Sequence, residues 1–325
     1  MLDKLNRKID YLRISVIDRC NLRCVYCMPE EGVESIPHEE ILTYDEILRI
    51  CETVSQLGIK KIKITGGEPL VRKEIVNLIR DIKNLDKIEQ VTLTTNGILL
   101  YDMLDDLYDA GIDAINISLD TLKEDNFKQI TRRDGLEKVL MAIDKAYNLG
   151  IRVKINCLAI RDFNINELAD IANFAKDREI DVRFIELMPI GFGKKYTQID
   201  NDEILSILES NFGAFEPVTE KRGNGPAKYY KNKDMKGCIG FISAISHEFC
   251  ESCNRIRLTS NGFLKLCLHY NKGIDLKAPI RSGISDEDLK ILIHDTIWNK
   301  PLSHKFGHTN GEKDIEVKNM VQIGG

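Results

Sequence analysis

No apolar run in this chain approaches the ~20 residues that a membrane helix needs, so no span is expected. The opening residues, MLDKLNRKID, alternate charges with single apolar side chains and hold no apolar stretch. No secretory signal is expected from them. Excess positive charge is also missing. The net charge is −5 and the isoelectric point about 5.8, which argues against a general nucleic-acid binder with a basic face. There is no internal repeat or low-complexity tract. The class left is a globular, cytoplasmic protein with neither membrane nor nucleic acid as partner.

A fourth cysteine is lacking in two places. Six of the nine cysteines fall in two triplets, Cys20-x3-Cys24-x2-Cys27 and Cys250-x2-Cys253-x13-Cys267. In a reducing compartment, clustered cysteines more often bind metal than pair as disulfides. Four thiolates close a metal site; three leave one position for a ligand that is not protein. The other three cysteines read as core. Cys51 shares a helical stripe with Ile47, Val54 and Leu57, Cys157 continues the alternation Val153, Ile155, and Cys238 opens an apolar run.

Strand and helix patterns alternate over the first ~190 residues, which implies βα units and a parallel sheet. The strand candidates are Leu12–Ile17, Lys61–Thr65, Val91–Thr95, Ala114–Leu119, Arg152–Leu158 and Val182–Leu187. Helical stripes lie between most of them, such as Ile47 to Leu57 before Gly58 and Leu136 to Tyr147 before Gly150. Strands of a parallel sheet buried on both faces read as continuous apolar runs. These alternate instead: Ile62 and Ile64 with Lys61, Lys63 and Thr65; Ile115 and Ile117 with Asn116 and Ser118. The apolar faces are expected to meet the helices. The polar faces are expected to line a curved, wet interior suited to a polar ligand. From about Pro217 the chain becomes Gly-rich and charged, and an amphipathic helix is predicted over Asp286–Trp298.

Soft thiolates after a first strand suit an iron–sulfur cluster at the C-terminal face of the sheet, where active sites sit. Zinc at the first triplet lacks a fourth protein ligand nearby, since His38 is eleven residues beyond Cys27. The second triplet has His247 and His269 close in sequence, so spacing alone leaves a zinc knuckle open there.

Cys20, Cys24 and Cys27, with Tyr26 before the third cysteine and Gly66-Gly67-Glu68-Pro69 one strand later, resemble the radical S-adenosylmethionine (SAM) enzymes. Asp18–Asn21, Thr65–Pro69, Leu93–Gly97, Asn116–Asp120, Arg183–Glu186, Cys253–Leu258 and the terminal Gly324-Gly325 together resemble one member family, GTP 3′,8-cyclase of molybdenum cofactor biosynthesis. The resemblance implies an incomplete (β/α)6 TIM-like barrel over residues 1–216, closed by a smaller domain over 217–325 that carries a second [4Fe–4S] cluster. It implies SAM on the open iron of the first cluster and the purine of GTP on the open iron of the second. The implied reaction removes hydrogen from ribose C3′ and joins C3′ to guanine C8. The product, 3′,8-cyclo-7,8-dihydro-GTP, passes to cyclic pyranopterin monophosphate synthase. The implied oligomeric state is a monomer or homodimer.

The implied catalytic residues are Cys20, Cys24, Cys27 and Arg257. Tyr26, Gly67, Ser118 and Met188 match SAM-contact positions. Arg13, Lys63, Thr94, Lys154, Arg255, Ile256 and Arg257 match GTP-contact positions. A triphosphate needs several cations, and Arg13, Lys63 and Lys154 fall on inward strand faces. The family often has arginine where this chain has Lys63, so the bidentate fork is lost there. Gly324-Gly325 reads as a frayed tail by default; the resemblance implies that it reaches the active site. Two rival readings remain: another radical SAM enzyme with an auxiliary cluster, such as a peptide maturase, and a non-catalytic zinc-binding protein.

Overall fold

The computed structural model describes residues 1–220, 222–246, 249–304 and 315–324. Six βα units follow one another as expected. Their strands are β1 (Tyr11–Ser15), β2 (Lys61–Thr65), β3 (Gln90–Thr95), β4 (Ala114–Ser118), β5 (Arg152–Leu158) and β6 (Asp181–Ile185). All five neighbouring pairs are parallel. The observed β1 and β6 end two residues before the predicted ends. The chain turns into loops there, although the Val16 N–H still donates to the Thr65 carbonyl at 2.8 Å.

The helices between them form for local reasons. The first, α1 (Tyr44–Gln56), opens on a capping box. The Glu46 N–H donates to Thr43 Oγ1 at 3.2 Å, and the Thr43 N–H donates to Glu46 Oε2 at 2.7 Å. It stops at Gly58, whose φ of +87° is left-handed. Next come α2 (Ile75–Lys83), α3 (Leu100–Asp109), α4 (Glu124–Thr131) and α5 (Leu136–Asn148). Against them lies the apolar face of the sheet: Ile62, Ile64, Leu93, Ile117 and Ile155 are fully buried in one core. Cys51, Cys157 and Cys238 are buried as the sequence suggests.

What flanks these six strands has no clear signal in the sequence. The C-terminal third adds β7 (Glu216–Val218), β8 (Lys228–Lys231), β9 (Ile239–Ile242), β10 (Arg255–Leu258), β11 (Phe263–Lys265) and β12 (Gly273–Asp275). Their order in the sheet is β12-β11-β10-β1-β2-β3-β4-β5-β6-β9-β8-β7. Three late strands therefore extend each edge of one α/β sheet, and β10 and β9 join it parallel to β1 and β6. The parallel part is a partial barrel of βα units with an open side. The predicted helix Asp286–Trp298 is present with those ends, capped where the Asp288 N–H donates to Ser285 Oγ. No helix among the described residues is long and apolar enough to cross a membrane.

The helix-facing side of β5 and the outer side of α5 make a test. Ile155→Ala, on the helix-facing side, should lower unfolding free energy by about 2–5 kcal/mol in chemical denaturation. Met141→Ala, on the half-exposed side of α5, should change it by no more than about 0.5 kcal/mol. Equal losses would contradict the placement of the core.

Candidate active site

The inner face of the sheet encloses a cavity of about 770 Å³. Alternation along the strands decides its lining: Arg13, Lys63, Thr92, Thr94, Asn116 and Lys154 face it, while their apolar neighbours face the helices. Both cysteine triplets lie in its wall. Residues 217–220 and 222–230 cover the end where β3, β4 and β5 begin.

The first triplet sits in the loop leaving β1. Cys24 closes a turn, its carbonyl accepting from the Cys27 N–H at 2.9 Å and the Met28 N–H at 3.1 Å. Arg23 Nη1 holds the Cys20 carbonyl at 2.7 Å, and Arg132 Nη1 holds the Arg23 and Met28 carbonyls. The loop is thus fixed from its own side and from the end of α4. Burial pushes Cys20 up to about 11 and Cys27 up to about 12. Cys24 is also pushed up, first by burial and then by the charges of Cys27 and Cys20. Three crowded, half-buried thiols that repel as thiolates favour a group that brings positive charge, and soft sulfur donors suit iron. The residues therefore fit an iron–sulfur cluster.

Beside this loop, the Gly67 N–H donates to the Ile17 carbonyl at 2.7 Å. A Cβ on Gly67 would lie 2.4 Å from the backbone oxygen of Arg19, so no larger residue fits. The buried carboxylate of Glu68 accepts from Thr95 Oγ1 and the Asn96 N–H, each at 2.7 Å, and from the Leu70 N–H at 3.1 Å. Burial outweighs those bonds and pushes Glu68 up to about 7. The Tyr26 hydroxyl donates to Asp120 Oδ2 at 2.6 Å, and the Leu158 N–H donates to Asp120 Oδ1.

The floor of the cavity is cationic. Register places Arg13 directly opposite Lys63 on one side and Arg257 on the other. Burial, with Arg13, Arg183 and Lys154 nearby, pushes Lys63 well below the ordinary lysine range. Burial and the same kind of crowding lower Arg257 to about 9. Arg183 reaches Asn156 Oδ1 at 2.6 Å. Gly240, across the ladder from Arg183, leaves room for its stem: a Cβ there would meet Arg183 Cγ at 3.0 Å. Lys154 is differently placed. It ion-pairs with Asp181 at 3.1 Å, donates to the Tyr229 hydroxyl at 2.9 Å and donates to the Arg222 carbonyl.

Cys250 and Cys253 bracket a short turn before β10, and Cys267 follows β11. Here the electrostatics reverse. Burial alone would raise Cys253, but Lys300 and Arg255 overcome it and bring the thiol down to about 7. The His304 N–H donates to Cys250 Sγ at 3.5 Å, and the His269 and His304 rings lie 6.2 Å apart in the same wall. Among the described residues, no three His, Cys, Asp or Glu side chains are gathered as for a single metal ion.

Two family models match the chain: the Radical SAM superfamily over residues 14–175 and Molybdenum Cofactor Synthesis C over residues 180–306. A GTP 3′,8-cyclase of Clostridium perfringens is 50% identical over 325 residues, covering 100% of each chain. The chain belongs to the GTP 3′,8-cyclase family. A GTP 3′,8-cyclase of Desulforamulus reducens is 48% identical over 329 residues, again covering 100% of each chain. Among solved structures, Streptococcus suis SuiB bound to precursor peptide SuiA aligns with a TM-score of 0.63 at 15% identity, over 95% of this chain and 68% of that one. That likeness shows the fold alone.

The residues singled out by resemblance to this cyclase family converge with one exception. The six triplet cysteines, Tyr26, Gly67, Ser118, Met188, Arg13, Lys63, Thr94, Lys154, Arg255 and Arg257 all line the one cavity. Ile256 does not; its side chain is fully buried in the core behind the sheet, between the inward Arg255 and Arg257. Any contact it makes in the cavity is through its backbone. Gly324 is not frayed. Arg257 Nη1 donates to its carbonyl at 2.7 Å, and at its φ of +75° a Cβ would lie 2.8 Å from Ser15 Cβ. Gly325 and His247 lie outside the described residues. Arg183, Asn156 and Lys300 were missed. Arg183 and Asn156 were legible, since both take inward positions in the strand alternation. Lys300 follows the last long helix and carries no periodic signal.

The crowding of Lys63 predicts a gain of stability on its removal. Lys63→Met should raise the unfolding free energy of ligand-free protein by ~1–3 kcal/mol. The pH dependence has a definite sign. Between the depressed native pKa and the unfolded value of 10.5, the unfolded chain binds more protons, so wild-type stability rises with pH through that window. Lys63→Met should flatten this rise in denaturation curves; a lower stability for the variant would contradict the repulsion.

Proposed function

We propose that this chain performs radical SAM cyclisation of GTP in molybdenum cofactor synthesis. The observation that carries the reading is a polar cavity with a row of buried and half-buried cations and a cysteine triplet at each of two places in its wall. Cys20, Cys24 and Cys27 would hold the first [4Fe–4S] cluster, and Cys250, Cys253 and Cys267 the second. Each triplet leaves one ligand position to a small molecule: SAM at the first, the GTP purine at the second. When bound, the first cluster and SAM supply a 5′-deoxyadenosyl radical, the agent that takes hydrogen from ribose C3′.

The chain's own residues bind, orient and exclude water. Gly67 lets the methionine part of SAM approach the backbone, with Tyr26, Ser118 and Met188 around it. Arg13, Lys63, Arg255 and Arg257 match the charge of a triphosphate, and their repulsion in the ligand-free protein is relieved by it. Lys63 provides a point charge rather than a fork, so phosphate orientation falls to the arginines. Thr94 and the backbone at Ile256 complete the substrate wall. Lys154 reaches the triphosphate only by giving up one of its present partners. Held at both ends, GTP keeps C3′ near C8, which turns ring closure into an intramolecular step.

Residues 1–216 would form the radical-generating partial barrel and residues 217–325 the part that holds substrate. The product, 3′,8-cyclo-7,8-dihydro-GTP, would pass to cyclic pyranopterin monophosphate synthase. A cytoplasmic setting suits nine free thiols.

Anaerobically purified protein should carry about eight irons per chain with matching sulfide, from two clusters of four. Incubation with GTP, SAM and a reductant should consume GTP as 5′-deoxyadenosine forms. Deoxyadenosine without loss of GTP would overturn the substrate assignment, and zinc without sulfide would overturn the radical chemistry. Cys267→Ser should retain about four irons and the ability to bind SAM; loss of both clusters would contradict the two-site reading.

A further inference from the structure

Lys300 is 2% exposed. Burying an ammonium is costly unless an anion faces it. Its charged neighbours are Arg7 and Arg255, both positive, and the sulfurs of Cys253 and Cys267. Its Nζ donates to the Arg255 carbonyl at 3.0 Å and to the Leu266 carbonyl. Arg255 is two residues beyond Cys253, and Leu266 immediately precedes Cys267. One side chain thus ties together the two stretches of chain that carry these cysteines, in the wall of the cavity.

The backbone of Lys300 is itself fixed. Arg7 spends all five of its guanidinium donors. Nε binds Asp3 Oδ2 at 2.7 Å; Nη1 binds the carbonyls of Cys250 at 3.0 Å and Leu302 at 2.9 Å; Nη2 binds those of Lys300 at 3.2 Å and Pro301 at 2.8 Å. Arg7 and Asp3 are buried. The N-terminal arm therefore holds Lys300 against the cysteines from behind.

We propose that Lys300 is the counter-ion and positioning residue of the second cysteine triplet, raising the reduction potential of the iron–sulfur cluster held there. The inference rests on the reading that this triplet carries a cluster. A cluster bound by three thiolates is net negative, and reduction makes it more so. A fixed cation nearby stabilises the reduced form more than the oxidised one. The two carbonyl bonds set where that charge sits, and they do so without touching substrate.

The test uses the full chain with Cys20→Ser, Cys24→Ser and Cys27→Ser, so that the second triplet alone can hold a cluster. Iron, sulfide and a redox titration followed by electron paramagnetic resonance are measured with and without Lys300→Met. The expected result is a full second cluster whose reduced fraction at fixed potential falls about tenfold, ~59 mV for one electron, and returns in Lys300→Arg. An unchanged midpoint in a fully loaded Lys300→Met protein overturns the proposal. If Lys300→Met fails to load iron, recovery of loading in Lys300→Arg supports the charge role; failure of both shows that shape rather than charge matters and overturns it. Absence of iron from the triplet even with Lys300 intact refutes the cluster reading itself, and is distinguishable from the other outcomes.

Discussion

Arg13 stands directly across the ladder from Lys63 on one side and Arg257 on the other, and like charges so placed repel. The repulsion is felt because Lys63 is buried and Arg13 and Arg257 are half-buried. Burial first, and then like charge from neighbours in the cavity, lowers the proton affinities of Arg13, Lys63 and Arg257 alike. The rest of the architecture makes this row tolerable. The strands that carry it are locked from behind by a continuous apolar face, so the side chains have no retreat into solvent. An interior that resists collapse in this way is preorganised: its dipoles and charges need not rearrange when an anion arrives. The stability given up in the empty protein reappears as affinity for a polyanion.

The two cysteine triplets differ in the same currency of charge. Around the first, burial and mutual repulsion raise the thiols, and Arg23 offsets little. Such a site depends on the positive charge of what it binds. Around the second, Lys300 and Arg255 are already in place, and Cys253 falls to about 7 before any ligand is present. Phe249 stacks under the Arg255 guanidinium at 4.8 Å and keeps it from swinging away. A cation-rich triplet next to the cationic row makes one continuous anion-attracting wall. The first triplet, bordered by Glu68 and Asp120, suits a ligand with an ammonium group of its own.

Much of this was legible in the sequence because one simple period carries it. Alternation along Lys61–Thr65 or Arg152–Leu158 distributes side chains between two faces, and the polarity of each face says what lies beyond it. The same period gives the inward row and would have added Arg183 and Asn156. It also explains where the Ile256 side chain goes: an isoleucine flanked by two inward arginines must face the core. The sheet edges were not legible. β7 to β12 are three or four residues long, too short for a period to declare itself, and β10 and β9 join the sheet beside β1 and β6, which are far from them in sequence. Arg7 and Lys300 were invisible for a related reason, since their roles are set by backbone carbonyls, which carry no sequence identity.

An open barrel leaves its polar interior exposed along one side, and both ends of the chain are used to cover it. Near the start, Asp3 and Arg7 grip the segments around Cys250 and Lys300, while the Asn254 side chain donates to Asp10 Oδ1 at 2.7 Å. Near the end, the buried ion pair of Lys265 with Glu316 draws the chain back toward β11, and Gly324 closes on Arg257 and Ser15. Both closures set charged groups at the cavity wall, with Arg7 and Arg257 bound to backbone carbonyls, beside the buried side chains of Val321 and Ile323. The reason follows from the cavity itself. A hydrophobic plug would have to bury its surface against arginines and polar strand faces, leaving their donors unsatisfied. Segments that offer carbonyl oxygens satisfy those donors, so the wall most crowded with cations is also the wall on which the two ends of the described chain converge.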